Sequence, residues 1–247
     1  KLVELFRELE FTSLVGKLHD LAIEAGRVAE KVVARVKEEL KGDYSIVDSL
    51  EALERLAREL SAVSSFVIDV ETTGRDAMYA ELVGISLSYE AGKAFYVPVG
   101  HRMGTQLPLS QVVERLRPLI EDPGIAKMAH NGKYDMMVLA EHGIELRNLS
   151  FDTMIAAYLL GEKSLGLKAL AFGKLGIEMI PISDLIGKGA KQVSMAYVDI
   201  ASAARYACGD ADITVRLARL LEGQLREQGL WKLFIEVEMP LVPVLLA

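Results

Sequence analysis

The sequence predicts an α/β domain, a mixed sheet flanked by helices, with a helical arm on its N-terminal side. Three observations carry this. Short apolar runs of strand character alternate along the chain with longer segments whose apolar residues recur at helical spacing. The 247 residues are 51% hydrophobic and 26% charged, enough apolar material for a sizeable core. The run Phe66 to Gly74, FVIDVETTG, ends in two acids two positions apart, which share one face of a strand. In an α/β sheet such strand ends lie where ligands bind.

The elements follow in order. Residues 1–41 lack proline and are rich in Glu, Lys, Ala, Val and Leu; AIEAGRVAEKVVARVKEELKG repeats apolar positions at helical spacing and stops at Gly42, a C-cap signal. Residues 1–42 are therefore expected to form a helical linker, with the main domain at 43–228. YSIVDS is a short strand candidate, Ser49 caps the helix LEALERLARELSA, and Phe66–Val70 is a buried strand. LVGISLSYE and KAFYVPVG alternate on either side of Ala91 and Gly92, a hairpin signature. LSQVVERLRPLIED reads as a helix, IAKMAHN as a short strand, and KYDMMVLAEHG as a helix closed by Gly143. Asp152 caps the helix TMIAAYLLG as an N-cap, not as a metal ligand. An irregular, glycine-containing region with Pro181 runs to GKGAKQ. The longest helical pattern extends from about Val198 to Gln228 and ends at Gly229. Residues 229–247, LWKLFIEVEMPLVPVLLA after Gly229, are too apolar for an exposed terminal helix, so a partner or further chain is expected there.

Composition excludes several classes of function. The formal net charge of −7 argues against a duplex grip built on many lysine and arginine contacts, so any nucleic-acid attraction must be local. No apolar run approaches the roughly 20 residues of a membrane span, and KLVELFRELEF does not read as a signal peptide. The lone Cys208 cannot form an intramolecular disulfide and reads as a buried structural thiol. His19, His101, His130 and His142 are too scattered for a zinc set, and no G-x-S-x-G nucleophile elbow occurs.

The candidate chemistry lies in carboxylates. Asp69 and Glu71 repel each other on one strand face and need compensation. Asp135, in HNGKYD, falls in the first turn of a helix just after a short strand; helix-dipole stabilisation would by itself explain it. In RYACGDAD, Tyr206 and Asp210 are four residues apart and share a helical face, while Asp212 points away as a solvated or structural acid. Four acids and a phenol from three separated segments form a hard oxygen donor set, suited to Mg²⁺ or Mn²⁺.

DVET, HNGKYD and YACGD resemble, in order and spacing, the three exonuclease motifs of the proofreading domain of bacterial DNA polymerase I, in the Asp-Glu-Asp-Asp-Tyr class of 3'-5' exonucleases. The resemblance continues through LVGISLSYEAGKAFYVPVGH, GIELRNLSFDTMIAAYLL and IGKGAKQ. LVELFRELEFTSL is similar to the end of the family's 5' nuclease region, and VEMPLVPVLLA to the start of its polymerase domain. What the resemblance implies is an RNase H-like fold, with residues 1–42 linking to a 5' nuclease and 229–247 beginning a truncated polymerase domain. It implies two divalent metal ions, Mg²⁺ or Mn²⁺: Asp69 bridging both, Glu71 and Asp210 completing the first site, Asp135 holding the second largely through water, and Tyr206 orienting the attacking water. Thr72, Asn131, Lys188 and Gln192 fall in segments like those lining the family's substrate groove. Arg75 stands where the family often has a leucine wedge and suggests a phosphate contact. Val70 replaces a frequent threonine at a position contributing mainly its backbone.

The expected partners are DNA, as single-stranded or frayed 3' ends, and a polymerase domain in the same natural chain; a monomer in the bacterial cytoplasm, with the nucleoid, is the expected setting. Alternatives are an inert exonuclease-fold scaffold, a single-strand-binding module, and a ribonuclease D-like RNA exonuclease.

Overall fold

The computed structural model describes residues 42–189 and 192–246; the helical-arm expectation for residues 1–41 lies outside the described residues. A six-stranded mixed sheet forms the centre, in the order β1-β4-β3-β2-β5-β6. The strands are β1 (Asp43–Ile46), β2 (Ser65–Thr72), β3 (Leu82–Glu90), β4 (Lys93–Pro98), β5 (Ala126–Ala129) and β6 (Leu149–Asp152). β2, β3 and β4 are antiparallel, with the expected turn at Ala91 and Gly92, whereas β1, β5 and β6 join in parallel. β6 was not foreseen. Its four residues show no alternation and become a strand only through pairing with β5.

Helices cover both faces. α1 (Leu50–Ser61) begins where Ser49 Oγ accepts the Ala52 N–H, and α2 spans Leu109–Ile120. These, with α3 (Gly132–Glu141), pack on one face, where Leu53, Leu56, Val112, Leu116 and Val138 meet Phe66, Ile68 and Val70 of β2. α7 (Ile200–Glu227) covers the other face, packing Ala203, Ala207, Ala211 and Val215 against Val67, Val83 and Tyr96. The alternation of β2 therefore sends Phe66, Ile68 and Val70 to one layer and puts Val67, Asp69 and Glu71 on the α7 side. α7 starts two residues later than the spacing suggests, because Asp199 caps it by accepting the Ser202 N–H at 2.9 Å.

Two buried charges serve this frame. Lys127 on β5 is fully buried and donates to the carbonyls of Leu119, Asp122 and Ile125 at 3.2, 2.6 and 2.8 Å, closing the end of α2; burial pulls its ammonium down to about 8. Asp212 is structural, not solvated: fully buried, it accepts from Tyr44 Oη, the Gly92 N–H and Arg216 Nε, each at 2.8 Å, and ties β1 and the β3–β4 turn to α7.

The region read as irregular between α4 (Thr153–Leu159) and α7 holds α5 (Leu167–Leu170), continued by a π-turn over Ala171–Leu175, and α6 (Ile182–Ile186). After Gly229, which closes α7 at φ 71°, the chain is helical through α8 (Trp231–Leu233), a π-turn and α9 (Met239–Val244). Trp231 stacks on Phe234 at 5.6 Å and faces Phe151 of β6 at 6.5 Å, with the Arg226 guanidinium 4.0 Å from its ring centre. Leu233, Val237, Leu241 and Val244 remain exposed. Among the described residues no helix is long and apolar enough to cross a membrane.

Candidate active site

The site is built on β2, next to the middle of the sheet. Asp69 pairs across to Ser86 of β3, and the buried Ser86 hydroxyl donates to Asp69 Oδ2 at 3.1 Å. Glu71 pairs across to Gly84. A side chain on Gly84 would overlap the Tyr96 hydroxyl, which fills that space and bonds His101 Nε2 at 2.7 Å. His101 Nδ1 in turn lies 2.9 Å from the Val198 carbonyl, so this nitrogen carries the proton and Nε2 accepts from Tyr96. Burial holds the imidazole below its usual range, which favours that neutral form.

The third acid arrives on α3. Asn131 precedes the helix with φ 63°, and Gly132 lets its first turn approach β5 and β6, because a Cβ there would press on Ala129 and Leu149. Asp152 holds this turn: its carboxylate accepts the Asn131 and Gly132 N–H groups at 3.1 and 2.8 Å, and those of Met154 and Ile155 in α4 at 2.8 and 3.3 Å. One buried carboxylate thus caps two helices, more than the single N-cap expected from sequence. Asp135, 3% exposed, accepts the Val70 N–H at 3.0 Å and is tied to the strand residue between Asp69 and Glu71. The Val70 position contributes its backbone.

α7 brings Tyr206 and Asp210 over the same strand face. The mutual influence of the acids locates the site electrostatically. Glu71 is pushed well above the ordinary carboxylate range by burial, then by Asp69 and Asp210. Asp135 is pushed well up by burial and by Asp69. Burial raises Asp69 to about 6, against the Ser86 hydrogen bond, and burial with Asp69 raises Asp210 to about 7. Burial and the neighbouring acids push the Tyr206 phenol far up, so it stays protonated.

One further cation belongs here, and the sequence reading missed it. Lys168 of α5 donates from Nζ to Tyr206 Oη at 3.1 Å, with Nζ 4.4 Å from the ring centre, and its charge favours the ionised forms of Asp69, Glu71 and Asp210. A faint signal existed: a lysine at the second position of a helix opposes the helix dipole.

The expected substrate residues divide. Thr72 Oγ1 lies 2.6 Å from Tyr134 Oη, and both hydroxyls reach the Gly74 carbonyl at 2.7 Å. Arg75 and Asn131 line one open cleft of about 550 Å³ with Asp76, Ala77, Lys133, Tyr134 and Met137. None of the four acids lines it. Lys188 and Gln192 are exposed on the connection between α6 and α7, and among the described residues neither bonds to the acids.

The donor set is oxygen-rich and carries more negative charge than its surroundings compensate, which suits hard divalent cations. As placed, however, no three Asp, Glu, His or Cys side chains among the described residues close into a metal-holding group. The acids form an open cluster, each steadied by Ser86, Val70 N–H or Lys168.

A family profile described as 3'-5' exonuclease matches residues 44–226. The DNA polymerase I of Chloroflexus aurantiacus is 44% identical over 204 residues, 81% of this chain and 22% of that protein. That of Pseudomonas aeruginosa is 37% identical over 252 residues, 99% of this chain and 27% of that protein. The chain therefore spans about a quarter of the length of these relatives. Among solved structures, the POL domain of Pol1 from M. smegmatis in complex with DNA primer-template and dNTP is similar at a TM-score of 0.62 and 24% identity, covering 81% of this chain and 30% of that one.

Proposed function

The chain belongs to the 3'-5' exonuclease family and has its RNase H-like fold, and on that premise we propose that it removes 3'-terminal nucleotides from DNA, as the proofreading domain of a polymerase in the bacterial cytoplasm. The observation that carries this reading is the convergence of Asp69, Glu71, Asp135 and Asp210, each raised by burial and three of them by one another. A scaffold has no need for such a costly cluster. Asp69, Glu71 and Asp210, with Asp135 from the opposite side, would hold two Mg²⁺ or Mn²⁺ ions. When bound, such ions supply hydroxide near neutral pH and balance charge on the phosphate.

The rest is the work of the chain's own side chains. Tyr206 stays protonated, so it acts as a donor that holds a water in place and not as the base that deprotonates it. Arg75 and Lys133 set two positive groups against Asp76 in the cleft along α3, which suits a strand backbone approaching the acids. With −7 overall, the domain grips duplex weakly, so single-stranded or frayed ends are the substrate.

The test is digestion of a 3'-labelled single-stranded oligonucleotide with Mg²⁺, with Mn²⁺ and with excess chelator. Cleavage is expected with either ion and none with chelator; undiminished cleavage in chelator contradicts the reading. Asp210→Ala should lose several powers of ten, on the scale of removing a group acting at the reacting centre. Tyr206→Phe should lose only about 10- to 100-fold. Calorimetric Mn²⁺ binding should weaken in the aspartate variant and survive in the tyrosine variant.

A further inference from the structure

Lys168 is half-buried beside Tyr206, 38 residues away in sequence. Its ammonium donates to the phenol oxygen at 3.1 Å, and its 4.4 Å from the ring centre sets it at the oxygen end of the ring. An ammonium has donors only, so the phenol oxygen must accept from it, and the phenol's single hydrogen is then turned elsewhere. Because the lysine is held at one end by α5, this contact limits both the swing of the phenol oxygen and its hydroxyl rotor. Asp210 lies one turn further along the same helical face.

We propose that Lys168 is the positioning residue for Tyr206, occupying one side of its oxygen so that the single O–H is turned toward the water that attacks the phosphate. The proposal rests on the exonuclease reading above. Its rival is a lysine that serves only as counter-charge to the acids. A counter-charge would act whether or not the phenol is present; a positioning residue loses its effect when the phenol oxygen is gone.

The experiment is a double-mutant cycle on the 247-residue chain: wild type, Lys168→Met, Tyr206→Phe and the double variant, with Lys168→Arg as the conservative control. Single-turnover digestion with Mn²⁺ is measured alongside urea unfolding in chelator. Lys168→Met should slow digestion about tenfold, and Lys168→Arg should recover most of that. The double variant should be slower than Tyr206→Phe by no more than about twofold, and the two stability losses should likewise fail to add. Losses that multiply, giving a further factor of about ten, or stabilities that sum, overturn the proposal. If Lys168→Met no longer unfolds cooperatively, Lys168→Gln takes its place in the cycle. A wild-type chain without digestion would refute the exonuclease reading; the chelator arm needs no turnover and still decides on the pair.

Discussion

Replacing Asp152 with alanine should be among the most damaging single changes outside the acid cluster. Its carboxylate, 2% exposed, accepts four backbone N–H groups that start two helices. Hydrogen bonds to a charged acceptor contribute about 1.5–3 kcal/mol each, which sets an upper bound near 6–12 kcal/mol that water and relaxation reduce. Losing a cap residue costs about 1–2 kcal/mol, which for two helices sets a lower bound near 2–4. About 4 kcal/mol is the working figure, a large share of the roughly 5–15 kcal/mol of a typical domain. Asp152→Asn keeps one oxygen where Asn131, Met154 and Ile155 donate and turns an NH₂ toward the Gly132 N–H, so it should cost about 1–3 kcal/mol, the penalty of one unsatisfied buried donor. Urea unfolding followed by Trp231 fluorescence measures both. An alanine variant within about 1 kcal/mol of wild type, or an asparagine variant equally damaging, would refute the four-donor account.

Two other outcomes follow from the site. In chelator, Asp69 and Asp210 keep protons up to about 6 and 7 that the unfolded chain loses near pH 4. The folded state then binds more protons, so this stabilisation is complete below pH 4 and falls as pH rises through 6 to 7. Asp210→Asn should therefore gain on wild type in urea stability between pH 5 and 8 in chelator, and a pH-independent difference would contradict it. Gly84→Ala should destabilise by about 1–3 kcal/mol through overpacking against Tyr96, and Tyr96→Phe in the same chain should return little of that loss, because the ring carbons Cζ and Cε2, which crowd the new Cβ nearly as closely as the hydroxyl does, remain. Full recovery of the unfolding midpoint by Tyr96→Phe would show that the ring edge is not the obstacle.

Much of the frame was legible because its signals are periodic. The two-residue step in β2 placed Asp69 and Glu71 on one face, the four-residue step in α7 placed Tyr206 with Asp210, and the hairpin at Ala91–Gly92 marked itself. What escaped was defined by contact at a distance. β6 exists only through β5, and Lys168 acquires meaning only beside a phenol 38 residues later. Asp212 could be seen as turned from the site, but its burial depends on Tyr44 and Gly92, more than 100 residues earlier. The gathering of Arg75 and Asn131 in one cleft likewise requires β2 and α3 to be side by side.

The anchoring of Asp135 has a mechanical consequence. Its bond to Val70, with Tyr134 and Thr72 clasping Gly74, locks the first turn of α3 to the strand that carries Asp69 and Glu71. That wall moves as one piece with the sheet. On the other side of the acids α5 is anchored through Leu170 and Ala171, and α6, which buries none of its five residues, is the element least held by interior packing. A change in the space over the acids is therefore expected at α6, while Asp69, Glu71 and Asp135 keep their mutual spacing.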